Sequence, residues 1–492
     1  MDKNKIIEIR IDDMLDDGRA FGRYEGCAVF VSGGCSYADG TAAGAVPGDV
    51  VKAKVTKAKK SSAEAVLTEL AEPSADRIIS QCPYFGICGG CTMHELSYDA
   101  QKALKTEQVR SKLTRLGGLT DPDVKDITGA EELKYYRNKA VFAVGPHGEV
   151  GFNKSKSHYV LDIEDCLLQT DAAMVCADAL REYLRRTSDR NITQLTVRTA
   201  FGTGEVMAVI ESVKKDLPQA ELLVEMLDDA VYSLSADEEG GTAAEEFSLS
   251  LESVAVIHNG KCRIIAGKPT ITDTVITSDG RILNFEISPQ SFYQVNPEQM
   301  VKLYDKAAEY AALNGGETVL DLYCGAGTIG LWLLEELRNR DREAFEKTRV
   351  IGIESVRPAV LDANRNSVIN GMINTRYICG KAEEELPGMM GLAKLYKWNE
   401  VNERVEREPE IKLEHADVAV LDPPRAGCAE PLLAAVVQAA PDRIVYVSCD
   451  PGTLARDIKY LCANGYQFIE CTPVDQFPWT SHIEVVAKIQ RR

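Results

Sequence analysis

Four apolar, β-branched runs in the last third of the chain each end on residues that could do chemistry. TVLDLY (318–323) leads into Cys324-Gly325-Ala326-Gly327-Thr328 and then a helix-like segment. Glycines in such a turn let the backbone approach a ligand, so a nucleotide-like group fits there. RVIGIE (349–354) ends on Glu354, an acid where nucleotide-binding sheets hold ribose hydroxyls. A nicotinamide dinucleotide fits these two features as well, and short glycine turns are often structural. VAVLD (418–422) ends in Asp422-Pro423-Pro424-Arg425. RIVYVS (443–448) ends in Cys449-Asp450-Pro451, which puts a thiol at the same sheet edge, where a thiolate could serve as nucleophile.

A second group of sulfurs stands apart. Cys82, Cys88 and Cys91 are spaced C-x5-C-x2-C in the Pro- and Gly-rich stretch QCPYFGICGGCTMHEL, and three thiols on such a loop favour a metal, with a fourth ligand needed. Zinc usually shows paired CxxC knuckles or nearby His, and the C-x3-C-x2-C spacing of radical S-adenosylmethionine enzymes is absent.

The elements that must position these residues follow from pattern and composition. At 492 residues the chain has length for about three domains. Its last third alternates strand-like and helix-like segments, which describes a doubly wound parallel α/β sheet with ligands at the carboxyl ends of its strands. The polar stretch RNRDREAFEKTR before Glu354 reads as an extension of the first helix. Residues 1–70 read as short strands. Val51, Ala53 and Val55 alternate with Lys52, Lys54 and Lys57, as in a half-buried strand with a basic outer face, belonging to a small barrel or to a plain surface hairpin. SYDAQKALKTEQVRSKLTRLGG (97–118) places Ala103, Val109, Leu113 and Leu116 near helical spacing. Residues 126–285 are mixed, with a strongly acidic section from Glu211 to Glu252. With 56 Lys+Arg against 75 Asp+Glu, a net charge of −19 excludes indiscriminate polyanion binding by bulk charge, so any nucleic acid needs a local basic surface. No run approaches the roughly 20 apolar residues a bilayer requires, and the start lacks a secretory pattern, so a cytoplasmic protein with no membrane partner is expected. Fourteen cysteines in that compartment are not read as disulfides.

Asp422-Pro423-Pro424-Arg425 resembles the Asp/Asn-Pro-Pro-aromatic motif of methyltransferases acting on nucleobase or amide nitrogens, with Arg in place of the aromatic residue. Together with Ser291-Phe292-Tyr293-Gln294-Val295-Asn296, Asp321-Leu322-Tyr323-Cys324-Gly325, Ser448-Cys449-Asp450-Pro451 and His482-Ile483-Glu484, it resembles the RNA uracil-5-methyltransferase family over nearly the whole chain. The resemblance implies an OB-like TRAM barrel over 1–70, a mixed α+β central domain over 71–285, and a Rossmann-like methyltransferase domain over 286–492 against which the helix near 97–117 packs. It implies S-adenosyl-L-methionine contacts from Gln294, Tyr323, Glu354 and Asp422, with Cys449 as nucleophile and Glu484 as proton-removing base. Thr328 stands where ribosomal relatives often have Asn. By the same resemblance, Cys166 in IEDCLLQ is the remote ligand that joins Cys82, Cys88 and Cys91 around a [4Fe–4S] cluster. The stretch GLAKLYKWNEVNERVEREPEI before Asp422 departs from compact relatives and is expected, like the polar stretch before Glu354, to be a surface excursion.

Such chemistry demands these residue types. Carbon 5 of uracil is a poor nucleophile until a thiolate adds at carbon 6, and a base must later remove the carbon 5 hydrogen. The base must leave its stack, so RNA must be gripped elsewhere. Lys52, Lys54, Lys57, Lys59, Lys60, and Lys134, Arg137 and Lys139 interleaved with Tyr135 and Tyr136, are the expected grip, and the acidic section must face away. The expectation is a monomer making 5-methyluridine in 23S ribosomal RNA of the large subunit. A transfer RNA target and a non-catalytic RNA chaperone are the alternatives.

Overall fold

The computed structural model describes residues 2–15, 17–36, 42–236, 248–398 and 404–492. Parts of the acidic section (237–247) and of the excursion before Asp422 (399–403) lie outside the described residues.

Strands β1 (Ile6–Met14), β2 (Ala20–Tyr24), β3 (Cys27–Ser32), β4 (Val50–Ala58) and β5 (Ser62–Glu72) close into a barrel in the order β1-β2-β3-β5-β4. Val51, Ala53 and Val55 point inward with Ile7, Ile9, Val29 and Val31, and Lys54 and Lys57 point outward, which decides for a barrel over a hairpin. Lys52 is paired with Glu69 at 2.9 Å, so the basic face is narrower than the lysine spacing predicts.

Helix α1 (Tyr98–Arg115) starts at an N-cap, with Ser97 Oγ accepting from Ala100 N. Its buried stripe is Gln101, Lys105, Val109 and Leu113. Ala103 and Leu116 of the expected apolar face are exposed, because polar partners take their places: Lys105 Nζ donates to Asp475 Oδ1 at 2.6 Å in a pair buried from water on both sides. Losing one partner would strand a buried charge, so the pair fixes how α1 seats on the C-terminal unit.

Strands β6 (Lys139–Val144), β7 (Val150–Asn153), β8 (Val160–Asp162), β9 (Ile192–Thr199), β10 (Glu205–Ser212), β11 (Ser250–His258) and β12 (Lys261–Gly267) form one mixed sheet in the order β8-β7-β6-β9-β10-β11-β12. Helices α2 (Asp171–Thr187) and α3 (Ala220–Ala236) cover it through Leu180, Tyr183, Leu223 and Leu227. A hairpin, β13 (Ile271–Ile276) and β14 (Ile282–Ile287), then packs Leu283 and Phe285 into the core of the C-terminal unit.

There α4 (Pro297–Ala311) precedes β15 (Thr318–Leu322), α5 (Thr328–Arg340), α6 (Arg342–Lys347), β16 (Arg349–Glu354), α7 (Arg357–Ile369), β17 (Thr375–Cys379) and α8 (Ala382–Met389). After a small hairpin, β18 (Leu395–Trp398) with β19 (Arg404–Arg407), come β20 (Val418–Leu421), α9 (Glu430–Ala439), β21 (Arg443–Ser448), α10 (Pro451–Ala463), β22 (Tyr466–Val474) and β23 (Glu484–Arg491). The sheet order is β17-β16-β15-β20-β21-β23-β22, with all strands parallel except β23, which runs antiparallel to both its neighbours. Strand order reverses between β15 and β20, so the crevice opens at their carboxyl ends. The polar stretch before Glu354 is not a longer α5. Asp341 turns extended, accepts from Ala344 N at 3.0 Å, and starts α6, which buries Ala344 and Phe345.

Candidate active site

The sheet brings the chemistry-bearing residues to one edge because each follows its strand. Leu322 pairs with Ile353 on one side and Leu421 on the other, and Leu421 pairs with Tyr446, so Tyr323, Glu354 and Asp422 emerge side by side. On the antiparallel side Ser448 pairs with Val485. Cys449 follows β21 and Glu484 starts β23, each one residue beyond that pair.

Gln294, Tyr323, Glu354, Asp422, Cys449 and Glu484 line one cavity of about 580 Å³. All six residues assigned from sequence are thereby brought together, in a space sized for a nucleoside-bearing ligand. The glycine turn is built for close approach. Gly327 has φ +78°, and a Cβ there would sit 2.7 Å from Tyr377 Oη. Glu354 closes the turn, accepting from Gly325 N at 3.2 Å and Val356 N at 2.7 Å. Thr328 is not in the cavity's lining; its hydroxyl is buried 2.9 Å from Tyr304 Oη. Gln294 is buried, its carbonyl accepting from Asn138 Nδ2 at 2.9 Å.

The electrostatics are those of a crowded acidic pocket. Burial, then the charges of Asp321 and Glu354, push Asp422 up to about 7. Burial and the Asp422 charge push Glu484 well above the carboxylate range, with Arg425 opposing. Burial, then Glu484 and Asp422, push the Cys449 thiol up to about 12, and Arg425 again opposes. Glu484 thus opposes ionisation of Cys449, while burial and Asp422 keep the proton on Glu484 itself.

Residues 207–492 match the family model for tRNA (Uracil-5-)-methyltransferase, and residues 2–68 match that for the TRAM domain. An RNA methyltransferase of Halalkalibacterium halodurans is 35% identical over 502 residues, covering 100% of this chain and 98% of its own. One from Caldanaerobacter subterraneus subsp. tengcongensis is 37% identical over 506 residues, covering 100% of both chains. The chain belongs to the tRNA (uracil-5-)-methyltransferase family. It is an S-adenosylmethionine-dependent RNA methyltransferase of that family. The Pyrococcus abyssi tRNA (uracil-54, C5)-methyltransferase, solved with S-adenosyl-L-homocysteine, shares the fold with a TM-score of 0.68 at 23% identity, over 98% of this chain and 99% of that one.

The methyltransferase cavity is also lined by Phe292, Lys381, Glu383 and Arg425, which sequence reasoning gave no role. Phe292 and Arg425 sit inside quoted motifs. Lys381 and Glu383 follow β17, whose short run TRYIC carries too few β-branched residues to stand out. The basic aromatic stretch Lys134–Lys139 is corrected in part. Lys134 and Tyr135 are exposed, but Tyr136 is buried and donates to Pro478 O at 3.0 Å, and Lys139 is lowered to about 8 by burial.

Cys82, Cys88, Cys91 and Cys166 line a second cavity of about 350 Å³ with Tyr84, Phe85, Phe152 and Arg137. All four are free thiols. Burial pushes Cys166 up to about 11, and burial with the other three thiols raises Cys91 further. Among the described residues no three His, Cys, Asp or Glu side chains are close enough to share a single metal ion. No described helix is long and apolar enough to cross a membrane.

Proposed function

We propose that this methyltransferase places a methyl group on carbon 5 of a uridine in 23S ribosomal RNA, through a covalent adduct between Cys449 and carbon 6, with Glu484 as the base. The observation that carries this reading is that Cys449 and Glu484, each one residue beyond the Ser448–Val485 pair, line the same cavity as Asp422 and Glu354. S-adenosyl-L-methionine, when bound, supplies an electrophilic methyl on a sulfonium. Glu354 and Asp422 furnish acceptors for its hydroxyls and cationic end, while Gln294 and Tyr323 wall the cavity.

The raised Glu484 fits the order of events. Arg425 favours the Cys449 thiolate while Glu484 keeps its proton. The Sγ–C6 bond forms, the ring becomes an enolate, and carbon 5 takes the methyl group as S-adenosyl-L-homocysteine leaves. Sulfur is then a neutral thioether, and Glu484 gives up its proton to solvent. The carboxylate takes the carbon 5 hydrogen, that electron pair restores the C5–C6 double bond, and the C6–S bond breaks to return the thiolate. Net release is one proton per methyl.

Cys82, Cys88, Cys91 and Cys166 share the lining of the second cavity, and four thiols are the number a [4Fe–4S] cluster takes. They would hold such a cluster. This cage and the barrel support ribosomal RNA, since both accompany ribosomal members of the family. Because the Pyrococcus abyssi enzyme, named for a transfer RNA uracil, shares the architecture end to end, transfer RNA is the second reading.

Methyl-labelled S-adenosylmethionine given with both RNAs tests the substrate: label at carbon 5 of 23S uridine is expected, and label confined to transfer RNA overturns that choice. Glu484→Gln tests the chemistry. A denaturation-resistant protein–RNA adduct accumulates and release slows by about 100-fold or more, whereas failure to trap any adduct rejects the covalent route.

A further inference from the structure

Between β22 and β23 runs a strap, residues 475–483, whose far end delivers Glu484. The methyltransferase unit holds part of this strap, with Ile483 packed in the sheet's core and Gln476 Nε2 donating to Asn296 O at 3.2 Å, but its middle is held from outside that sheet. Asp475 is gripped by Lys105 of α1 at 2.6 Å, and Lys105 also donates to Phe477 O at 3.1 Å. Trp479 carries most of the rest. Its carbonyl accepts from both Thr92 N (3.1 Å) and Met93 N (2.9 Å), its own N–H donates to Gln101 Oε1 at 3.0 Å, and its Nε1 donates to Leu133 O at 2.8 Å. Its ring stacks on His94 with centroids 4.6 Å apart, and Cys91 and Cys166 pack against its cluster with Tyr136 and Leu168. Two residues on, Ser481 N donates to Thr92 Oγ1 at 2.9 Å.

Trp479 also has φ +67°, a left-handed conformation that a bulky side chain adopts only when its surroundings impose it. The imposing groups are Thr92, Met93 and His94, immediately after Cys91. A strained residue pinned by the cysteine loop, five positions before the expected base, is more than packing requires.

We infer that Trp479 is a positioning residue for Glu484: latched on the cysteine loop, it sets the slack of the strap and thereby where the carboxyl stands against Cys449. This rests on Glu484 being the base. The consequence is greatest at Glu484: Tyr323, Glu354, Asp422 and Cys449 follow other strands, while the strap touches the cavity lining through Gln476 on Gln294 (3.5 Å) and His482 on Arg425 (3.3 Å).

Trp479→Leu keeps apolar bulk but removes the stack and the Nε1 donor. Expected is accumulation of the methylated, denaturation-resistant protein–RNA adduct and a loss of release rate on the order of 100-fold, with the Kd for S-adenosyl-L-homocysteine and the KM for RNA within about threefold of the parent. Trp479→Phe, which retains stacking, recovers most of the rate. Turnover lost without adduct, unchanged turnover, or a parallel fall in S-adenosyl-L-homocysteine affinity overturns the inference. Should Trp479→Leu fail to fold, Thr92→Val, which removes the acceptor for Ser481, carries the same test. Glu484→Gln run alongside separates the two readings: no adduct there rejects the base assignment itself, while an adduct there and none in the strap variants rejects only the latch.

Discussion

Two cavities in this molecule are walled by cysteine, and they differ in how their sulfur is governed. The larger, about 580 Å³, sits at a sheet edge where Cys449 shares the walls with Glu354, Glu383, Asp422, Glu484 and Arg425. The smaller, about 350 Å³, is enclosed by loops, and its four thiols face aromatic rings and one another. Burial raises both Cys449 and Cys91, and the further push comes from the carboxylates of Glu484 and Asp422 at Cys449 and from neighbouring thiols at Cys91. Arg425, near His482 at 3.3 Å, gives the first site a reversible route to a thiolate. The second cavity has a single carboxylate, Asp165, in its lining, together with Arg137. The proposed reagent thiol and the proposed cage thiols thus differ in their neighbours.

The comparison breaks most sharply at Cys449. Cys449→Ala is expected to abolish methyl transfer, by about 10⁴-fold or more, while binding of S-adenosyl-L-homocysteine measured by calorimetry stays unchanged. Residual turnover within 100-fold of the parent would mean that the thiol is not the reagent.

Loss of a cage thiol should act differently. Cys88→Ser, or removal of iron by chelation, is expected to bleach brown visible absorbance and lower iron content, and to slow turnover by about 10- to 100-fold through a loosened cysteine loop. Product from the surviving turnover remains 5-methyluridine. Unchanged iron content in Cys88→Ser refutes the cage; complete loss of chemistry with iron retained would make its thiol a reagent as well.

These two regions were also unequally legible. Strand-end residues are readable because a parallel sheet puts everything after its apolar runs at one edge, so Tyr323, Glu354, Asp422 and Cys449 follow from pattern and motif together. The barrel strand Val51–Val55 was readable by its alternation. Glu484 required the family resemblance, since a lone acid before an apolar strand carries no signal of its own, and Cys166 lies 75 residues from Cys91 in sequence (166 − 91). Other features were hidden for physical reasons. The buried stripe of α1 is partly polar, with Lys105 paired to a residue 370 positions away, so hydrophobic spacing misassigned Ala103 and Leu116. Tyr136 lies beside exposed Tyr135, and only the fold shows which ring turns in. The left-handed Trp479 gives no sequence sign, because its conformation is imposed by Thr92 and Met93 from far along the chain.

The finest difference between the cavities is electrostatic, and pH should expose it. Asp422 and Asp321 are both pushed up to about 7, by burial first and then by neighbouring acids including Glu354. Below that pH burial holds the two acids neutral; above it they add negative charge in and beside the sheet-edge cavity. A ligand carrying a sulfonium charge binds the anionic form better, and by linkage its affinity must rise as pH rises through the window. S-adenosyl-L-homocysteine lacks that charge and should respond less. Calorimetric titrations at pH 6 and pH 8 are therefore expected to show S-adenosylmethionine binding about tenfold tighter at the higher pH, with S-adenosyl-L-homocysteine changing by less than about threefold. Asp422→Asn should erase most of the gap between the two ligands. If both ligands follow the same curve in the parent protein, the buried acids do not sense the sulfonium, and Asp422 loses its place beside the methyl donor while Cys449 and Glu484 keep theirs.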